Sequence, residues 1–317
     1  MSILDQKLNG VKEVAILGHV RPDGDCLGSC LGMWNYLRTA YPQVEAQVFL
    51  EEIPAKFGYL NVSGQIRTVF AQEVSYDLCI CIDSSDKERL GEGQGIFGLA
   101  KDTLCIDHHI TNEGFAASNV IDPGASSSCE VLYGLLEDSM ITKETAECLY
   151  TGIIHDTGVF KYSNTSAKTM GIAGKLMEKG IDFSAIIDES FYEKTYLQNQ
   201  ILGRALFESV TFLEGRCIFS VIRLKDMRFY GVSSQDLDGI VEQMRVTKGV
   251  ECAIFLYEIQ SQVFKVSLRS KRFLDVSKVA AYFGGGGHVR AAGCTMSGSL
   301  YDVINNLSAH IEKQLEG

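Results

Sequence analysis

With 317 residues, 46% of them hydrophobic and 22% charged, the chain exceeds the roughly 250 to 300 residues at which a single core stops growing, so two domains are expected. Lys and Arg total 29 against 40 Asp and Glu, a net charge of −11 with no block of like charge, which argues against tight duplex binding by phosphate neutralisation and leaves small anionic substrates open. Ten cysteines scattered through apolar runs without a Cys-x-x-Cys pair, no signal-peptide pattern and no membrane-length apolar stretch point to a cytoplasmic protein without disulfides or membrane contact.

The first half alternates short β-rich runs with amphipathic segments, the pattern of a parallel sheet with helices on both faces. EVAILGH reads as a buried strand. It runs into GHVRPDGDCLGS, residues 18–29, a poor helix and a poor strand. Pro22 removes a backbone donor, Gly24 offers nothing to pack, and Asp23 and Asp25 repel unless something positive sits between them, for which a metal ion is the natural candidate. CLGSCLGMWNYLRTAY then places Leu27, Leu31, Trp34 and Leu37 at helical spacing, ready to pack back on the sheet. VEAQVFL, DLCICID and TLCID supply three more strands. ITKETAECLYTGIIHDTG predicts a helix with Thr142 as N-cap, Ala146, Leu149, Tyr150, Ile153 and Ile154 on one face, and Gly158 near its end.

Residues 183–204 are mostly helical in pattern and read as a connector. VTFLEGRCIFSVIRL carries a hairpin signal at Glu214-Gly215, GVECAIFLYEI and VFKVSLRS are again β-rich, and a final helical pattern starts at Tyr301. The expected organisation is α/β throughout: a parallel-sheet domain over 1–184, a connector over 185–204, and a smaller α/β domain with a mixed or antiparallel sheet over 205–317.

Three of the predicted strands end on chemistry: His19, Asp83, and Asp107-His108-His109. Ligands bind beyond the carboxyl ends of strands in open α/β sheets, so these residues should converge. Asp156 follows a helix and joins them only if that helix ends at the same edge. The resulting set is His19, Asp23, Asp25, Asp83, His108 and Asp156, with His109 adjacent. One divalent ion cannot neutralise four carboxylates, whereas two ions sharing a bridging carboxylate can, and carboxylate and imidazole donors suit Mn²⁺ or Mg²⁺. Two such ions roughly 3.5 to 4 Å apart hold a bridging hydroxide and clamp a phosphoryl group for in-line hydrolysis. A single Asp at a strand end is ordinarily a turn or cap, and Asp86 and Asp122 keep that reading. His155 and His310 read as hydrogen-bonded structural residues. The joint placement of six residues is what favours a site.

FGGGGHVRAAG, residues 283–293, is the second unusual stretch. Four glycines are costly to order, so they suggest close approach of the main chain to a guest, and successive N–H groups can form an anion-binding nest. His288 and Arg290 follow at once, and SLRSK offers Arg269, Ser270 and Lys271, which favours a phosphate guest over a plain flexible loop.

HVRPDGDCLGS, CIDSSD, IDHH and HDTGVFKYSNT, in that order, resemble the four motifs of the DHH phosphoesterases, and SLRSK…FGGGGHVRAAG resembles the DHH-associated C-terminal domain. The match spans nearly the whole chain, and a length with no extra domain is most similar to the bacterial oligoribonuclease and pAp-phosphatase subfamily, the nanoRNases. The resemblance implies one Mn²⁺ on His19, Asp23 and Asp83 and a second on Asp25, Asp83, His108 and Asp156, with Mg²⁺ or Co²⁺ as alternatives. It implies that His109 contacts the scissile phosphate while Asp107 orients an imidazole. Arg269, Ser270, Gly285, Gly286 and His288 match positions that grip a substrate phosphate or terminal nucleotide from the second domain, across a cleft that holds the active site. Cys26-Leu27 departs from the small residues common in the first motif. The implied function is Mn²⁺-dependent hydrolysis of short single-stranded RNA and of 3′-phosphoadenosine 5′-phosphate (pAp), with neither duplex nor membrane as partner and a homodimer compatible. A phosphodiesterase for cyclic or linear dinucleotides is the alternative that uses the same residues. A non-catalytic nucleotide-binding regulator is the alternative of another class, and it would be expected to lack ligands that this sequence retains.

Overall fold

Runs such as EVAIL and LCICI carry no polar face and must be covered on both sides. In the computed structural model, which describes residues 3–60, 63–70 and 75–315, their alternation feeds two cores. Val14, Ile16, Leu78, Ile80, Ile82, Leu104 and Ile106 face one, and Ala15, Leu17, Cys79 and Cys81 face the other. The chain divides into two units, Met1–Glu193 and Lys194–Gly317.

The first unit runs α1 (Ile3–Leu8), β1 (Glu13–Leu17), α2 (Gly24–Ala40), β2 (Glu45–Phe49), β3 (Ile66–Arg67), β4 (Leu78–Ile82), α3 (Gln94–Leu99), β5 (Thr103–Asp107), β6 (Ser118–Ile121), α4 (Ser128–Tyr133), α5 (Lys143–Asp156), α6 (Ala167–Glu178) and α7 (Phe183–Ile187). Its sheet has the order β3-β2-β1-β4-β5-β6 and is parallel throughout. The chain builds outward from β1 on one side and returns to β4 on the other, which opens a crevice beyond the carboxyl ends of β1 and β4. Leu27, Leu31 and Leu37 of α2 are fully buried, as the spacing predicts, while α3 brings Ile96 and Phe97 to the opposite core. Helix α5 starts at Thr142, whose side chain accepts from the Thr145 N–H, and its expected apolar face is buried. Helices α2 and α5 approach closely at Gly28, where a Cβ would stand 2.4 Å from the Cys148 carbonyl oxygen and 2.9 Å from the Gly152 nitrogen.

The second unit runs α8 (Tyr196–Phe207), β7 (Val210–Phe212), β8 (Cys217–Ile222), α9 (Leu224–Tyr230), α10 (Ile240–Arg245), β9 (Cys252–Gln260), β10 (Val263–Ser270), α11 (Val276–Tyr282), β11 (Gly286–His288), β12 (Ala291–Ser297) and α12 (Leu300–Leu315). Its sheet order is β11-β12-β10-β9-β8-β7, antiparallel except between β8 and β9, hence mixed. The β7–β8 hairpin turns at Leu213, Glu214 and Gly215, all with positive φ. Helix α10 packs on one face of this sheet through Ile240, Val241 and Met244, and α11 and α12 pack on the other through Val279, Val303, Leu307 and Ile311.

The segment 185–204, read from sequence as a connector, is divided between the units. Past α7, Ser190 meets His155 Nε2 at 3.1 Å and so belongs with the first unit. Thr195 then opens α8 with a reciprocal cap to Gln198, which ends any continuous helix. No helix among the described residues is long and apolar enough to cross a membrane.

Because the carbonyl facing Gly28 belongs to a packed helix and cannot rotate away, Gly28→Ala should destabilise the protein by about 1–3 kcal/mol in chemical denaturation. Unchanged stability would show that α2 and α5 separate freely.

Candidate active site

His19 lies two residues beyond β1, Asp83 directly after β4, and Asp107 ends β5 with His108 and His109 behind it. Asp23 caps α2, Asp25 sits in its first turn, and Asp156 is the last residue of α5. Asp83 has φ of 60°, a conformation uncommon outside glycine, and its N–H is held by the Ile106 carbonyl at 3.0 Å.

All six predicted ligands come together. His19 Nε2 stands 3.5 Å from Asp83 Oδ2 and 3.7 Å from Asp23 Oδ2. His108 Nε2 stands 3.2 Å from Asp156 Oδ2, 3.7 Å from Asp83 Oδ1 and 3.9 Å from Asp25 Oδ2. Most of these separations exceed the roughly 3.2 Å limit of a good N–H···O bond. They match what two donors show when each binds one cation at about 2.0–2.2 Å, which leaves them roughly 3 to 4 Å apart. His109 and Asp107 provide the contrast, with a direct bond of 2.7 Å from Nδ1 to Oδ1. The donor set and its spacing therefore fit divalent ions, and Asp83 offers a different oxygen to each imidazole.

The donors are fixed from behind. His19 Nδ1 donates to the Val20 carbonyl at 2.9 Å, which leaves the Nε2 lone pair facing the carboxylates. Asp25, wholly buried, accepts from the N–H groups of Ser128 at 2.6 Å and Cys129 at 3.0 Å, at the start of α4. Ser128 Oγ also donates to Asp83 Oδ1 at 2.9 Å. Asp107 Oδ2 accepts from Asn112 Nδ2 at 2.7 Å. Cys26 Sγ lies close enough to His19 and Asp83 to join them around an ion. Burial pushes that thiol far up and its sulfur accepts the His19 N–H at 3.3 Å, so it walls the site while Asp23 faces the imidazole.

Ser128 and Asn112 were not among the residues singled out from the sequence. The Ser127 cap ahead of Glu130 marks the start of α4, yet nothing local reports that its first turn receives Asp25.

Burial opposes charge on both imidazoles, but the carboxylates win. Asp23 and Asp83 hold His19 far above its ordinary value, and Asp156 with Asp25 raises His108 to about 10. Burial raises Asp25 well above the carboxylate range, reinforced by the charges of Asp83 and Asp156. Asp23, against its burial, is held down to about 2 by His19. The hydrogen bond that His109 donates to Asp107 raises the His109 imidazole above its ordinary value. Without a metal, protons occupy the role of the cation.

In the second unit the glycine run is not an open nest. Gly286–His288 form a strand, β11, paired to β12. Gly284, with φ of 73°, terminates α11, and a Cβ on Gly285 or Gly287 would fall 2.1 Å or 2.5 Å from a β12 carbonyl oxygen. Gly286 alone has neither constraint: its φ is ordinary and nothing lies within 4 Å of a built Cβ. His288 pairs with Ala291, which pairs with Arg269, so both side chains belong to one row of the sheet. Arg269 Nε stands 3.3 Å from Glu242 Oε1. Ser270 is buried and its hydroxyl donates to the Leu274 carbonyl at 2.6 Å.

Residues 13–153 match the DHH family N-terminal domain, and residues 215–317 match the DHHA1 domain. The chain belongs to the DHH family. It is 28% identical over 306 residues to the bifunctional oligoribonuclease and PAP phosphatase NrnA of Thermus thermophilus, covering 94% of this chain and 89% of that protein. It is 26% identical over 299 residues to the protein of the same name from Bacillus subtilis, covering 93% and 92%. The crystal structure of an exopolyphosphatase-related protein from Bacteroides fragilis superposes with a TM-score of 0.88 at 26% identity, covering 98% of this chain and 94% of that one. This DHH protein is a metal-dependent hydrolase, as its motifs led one to expect.

The raised histidines fix the sign of a pH effect. Their pairing with carboxylates stabilises the metal-free DHH protein fully below about pH 6.5 and is lost as pH rises through their folded values, about 10 for His108. Metal ions need the neutral imidazoles. The gain in melting temperature on adding Mn²⁺ to chelated protein should therefore grow from pH 6.5 to 9, and a gain that stays flat or shrinks would contradict the site.

Proposed function

We propose that this protein hydrolyses phosphoester bonds in short single-stranded oligoribonucleotides and in pAp, with two divalent ions, Mn²⁺ first among them. His19, Asp23 and Asp83 would hold one, and Asp25, Asp83, His108 and Asp156 the other. The observation that carries the reading is the placement of Asp83, with Oδ2 at 3.5 Å from His19 and Oδ1 at 3.7 Å from His108. When bound, such ions lower the pKa of water and polarise a phosphoryl group.

The chain's own groups do the rest. His109 donates Nδ1–H to Asp107, and the same bond keeps the ring protonated more readily, so that Nε2–H is free to donate to a phosphoryl oxygen as charge develops there. Its side chain is 37% exposed, open to substrate. Arg269, pre-oriented by Glu242, supplies a guanidinium for a terminal phosphate. Gly286 keeps the main chain accessible where a side chain would otherwise stand. A net charge of −11 disfavours long or duplex nucleic acid held by counterion release and suits short substrates gripped at one end. The names of the relatives, which match over nearly their whole length, support the same substrates. All ten cysteines are free and buried, which suits the reducing cytoplasm.

Initial rates with Mn²⁺ should be high for pAp and for RNA dimers to pentamers and low for cyclic di-AMP and for much longer RNA. Gly286→Ala should leave stability unchanged while raising KM for pAp by about 5- to 10-fold, the loss of roughly one hydrogen-bonded contact. Preference for cyclic di-AMP would replace this reading with the dinucleotide phosphodiesterase.

A further inference from the structure

Positive charge is unevenly divided in this acidic protein. Met1–Glu193 carries 14 basic and 28 acidic residues, whereas Lys194–Gly317 carries 15 and 12. On the second unit part of it forms a row. Glu242 on α10 accepts from Arg269 at one oxygen, 3.3 Å, and from Arg245 at the other, 2.7 Å. Past the end of β10, Lys271 donates to the Thr247 carbonyl at 2.8 Å and lines a depression of about 580 Å³ together with Arg216, Arg272 and Phe273.

Among the described residues a single carboxylate, Glu251, lines that depression, and it spends Oε1 on the N–H groups of Arg272, Phe273 and Leu274 at 2.9, 2.7 and 3.1 Å, and so builds the turn. Among the described residues no carboxylate forms an ion pair with Arg216 or Arg272. The Lys271 ammonium is pulled below its usual range by burial and by the charge of Arg245, with Arg272 adding to this against the opposing charge of Glu251. Beside these cations the Phe273 ring is 77% exposed. Exposed phenylalanines are unremarkable singly, but a ring that lines the same depression as two arginines and a lysine offers a face for a base beside donors for a phosphate.

We propose that Lys271, Arg272 and Phe273, at the end of the row that begins at Arg269, form a further nucleotide subsite for the next phosphate and base of a single-stranded oligonucleotide. The inference rests on Arg269 gripping the substrate end, and it assigns longer strands an affinity that pAp and dinucleotides cannot reach. Arg272 fixes the phosphate and Phe273 stacks the base.

The test uses the full chain. Binding of labelled RNA dimer and pentamer to chelated protein is followed by anisotropy, AMP binding by calorimetry, and pAp turnover with Mn²⁺ by steady-state kinetics, for wild type, Arg272→Glu and Phe273→Ala. Wild type should bind pentamer about 10-fold more tightly than dimer, and either variant should abolish most of that gap. Dimer affinity and pAp turnover should stay within about twofold of wild type, which also certifies folding. A gap that survives both variants overturns the subsite, as does a gap that survives while AMP binding is lost with Arg272→Glu, since the depression would then take a free nucleotide. If the gap depends on Arg272 but neither pAp nor RNA is hydrolysed, the subsite stands and the proposed function falls.

Discussion

Four carboxylates meet at one edge of a parallel sheet, two of them, Asp25 and Asp83, almost entirely out of water, and that mutual repulsion is the constraint around which the first unit is organised. Buried like charges must be neutralised or protonated. The protein does part of this itself. Two N–H groups at the start of α4 receive Asp25, the Ser128 hydroxyl receives one oxygen of Asp83, and the imidazoles of His19 and His108 take up protons. None of these donors satisfies the donor pairs left 3.5 to 3.9 Å apart. Divalent ions complete the balance, and the topology serves that end: β1 and β4 flank the switch point, α2 begins there, and α5 ends there.

The two units differ in charge. Acids outnumber bases two to one on Met1–Glu193, which favours cations there, while Lys194–Gly317 carries a slight excess of basic residues. Their glycines differ in the same spirit. Gly28 exists because two helices touch, and Gly284, Gly285 and Gly287 because a helix must end and two strands must approach. Within the run of four, Gly286 alone has an ordinary φ and open space where a side chain would stand.

Much of this was legible from residue order alone. Continuous apolar runs ending in His or Asp identified β1, β4 and β5 and placed their chemistry at one edge, because strand ends are local features. The period from Ala146 to Ile154 identified α5, but that Asp156 reaches the edge depends on how closely α2 packs on α5, which no local pattern states. The two residues of β3 and the six of α4 are too short to show a period. Ser128 escaped notice because its partner Asp83 lies 45 residues away. The break inside 185–204 did have a signal, the Thr195-x-x-Gln198 cap, outweighed by the helical composition on both sides. Four glycines in a row suggest an anion nest from sequence alone, because sequence cannot tell a glycine that admits a guest from one that admits a neighbouring strand.

Metal stoichiometry measured by elemental analysis tests the shared carboxylate most directly. Wild type should retain about two Mn²⁺ per chain after dialysis. Asp156→Ala, which removes a donor from the His108 side alone, should keep the ion on the His19 side, whereas Asp83→Ala should lose both while its circular dichroism remains native. Two ions retained by folded Asp83→Ala would contradict a bridging role and with it the two-metal centre built on that residue.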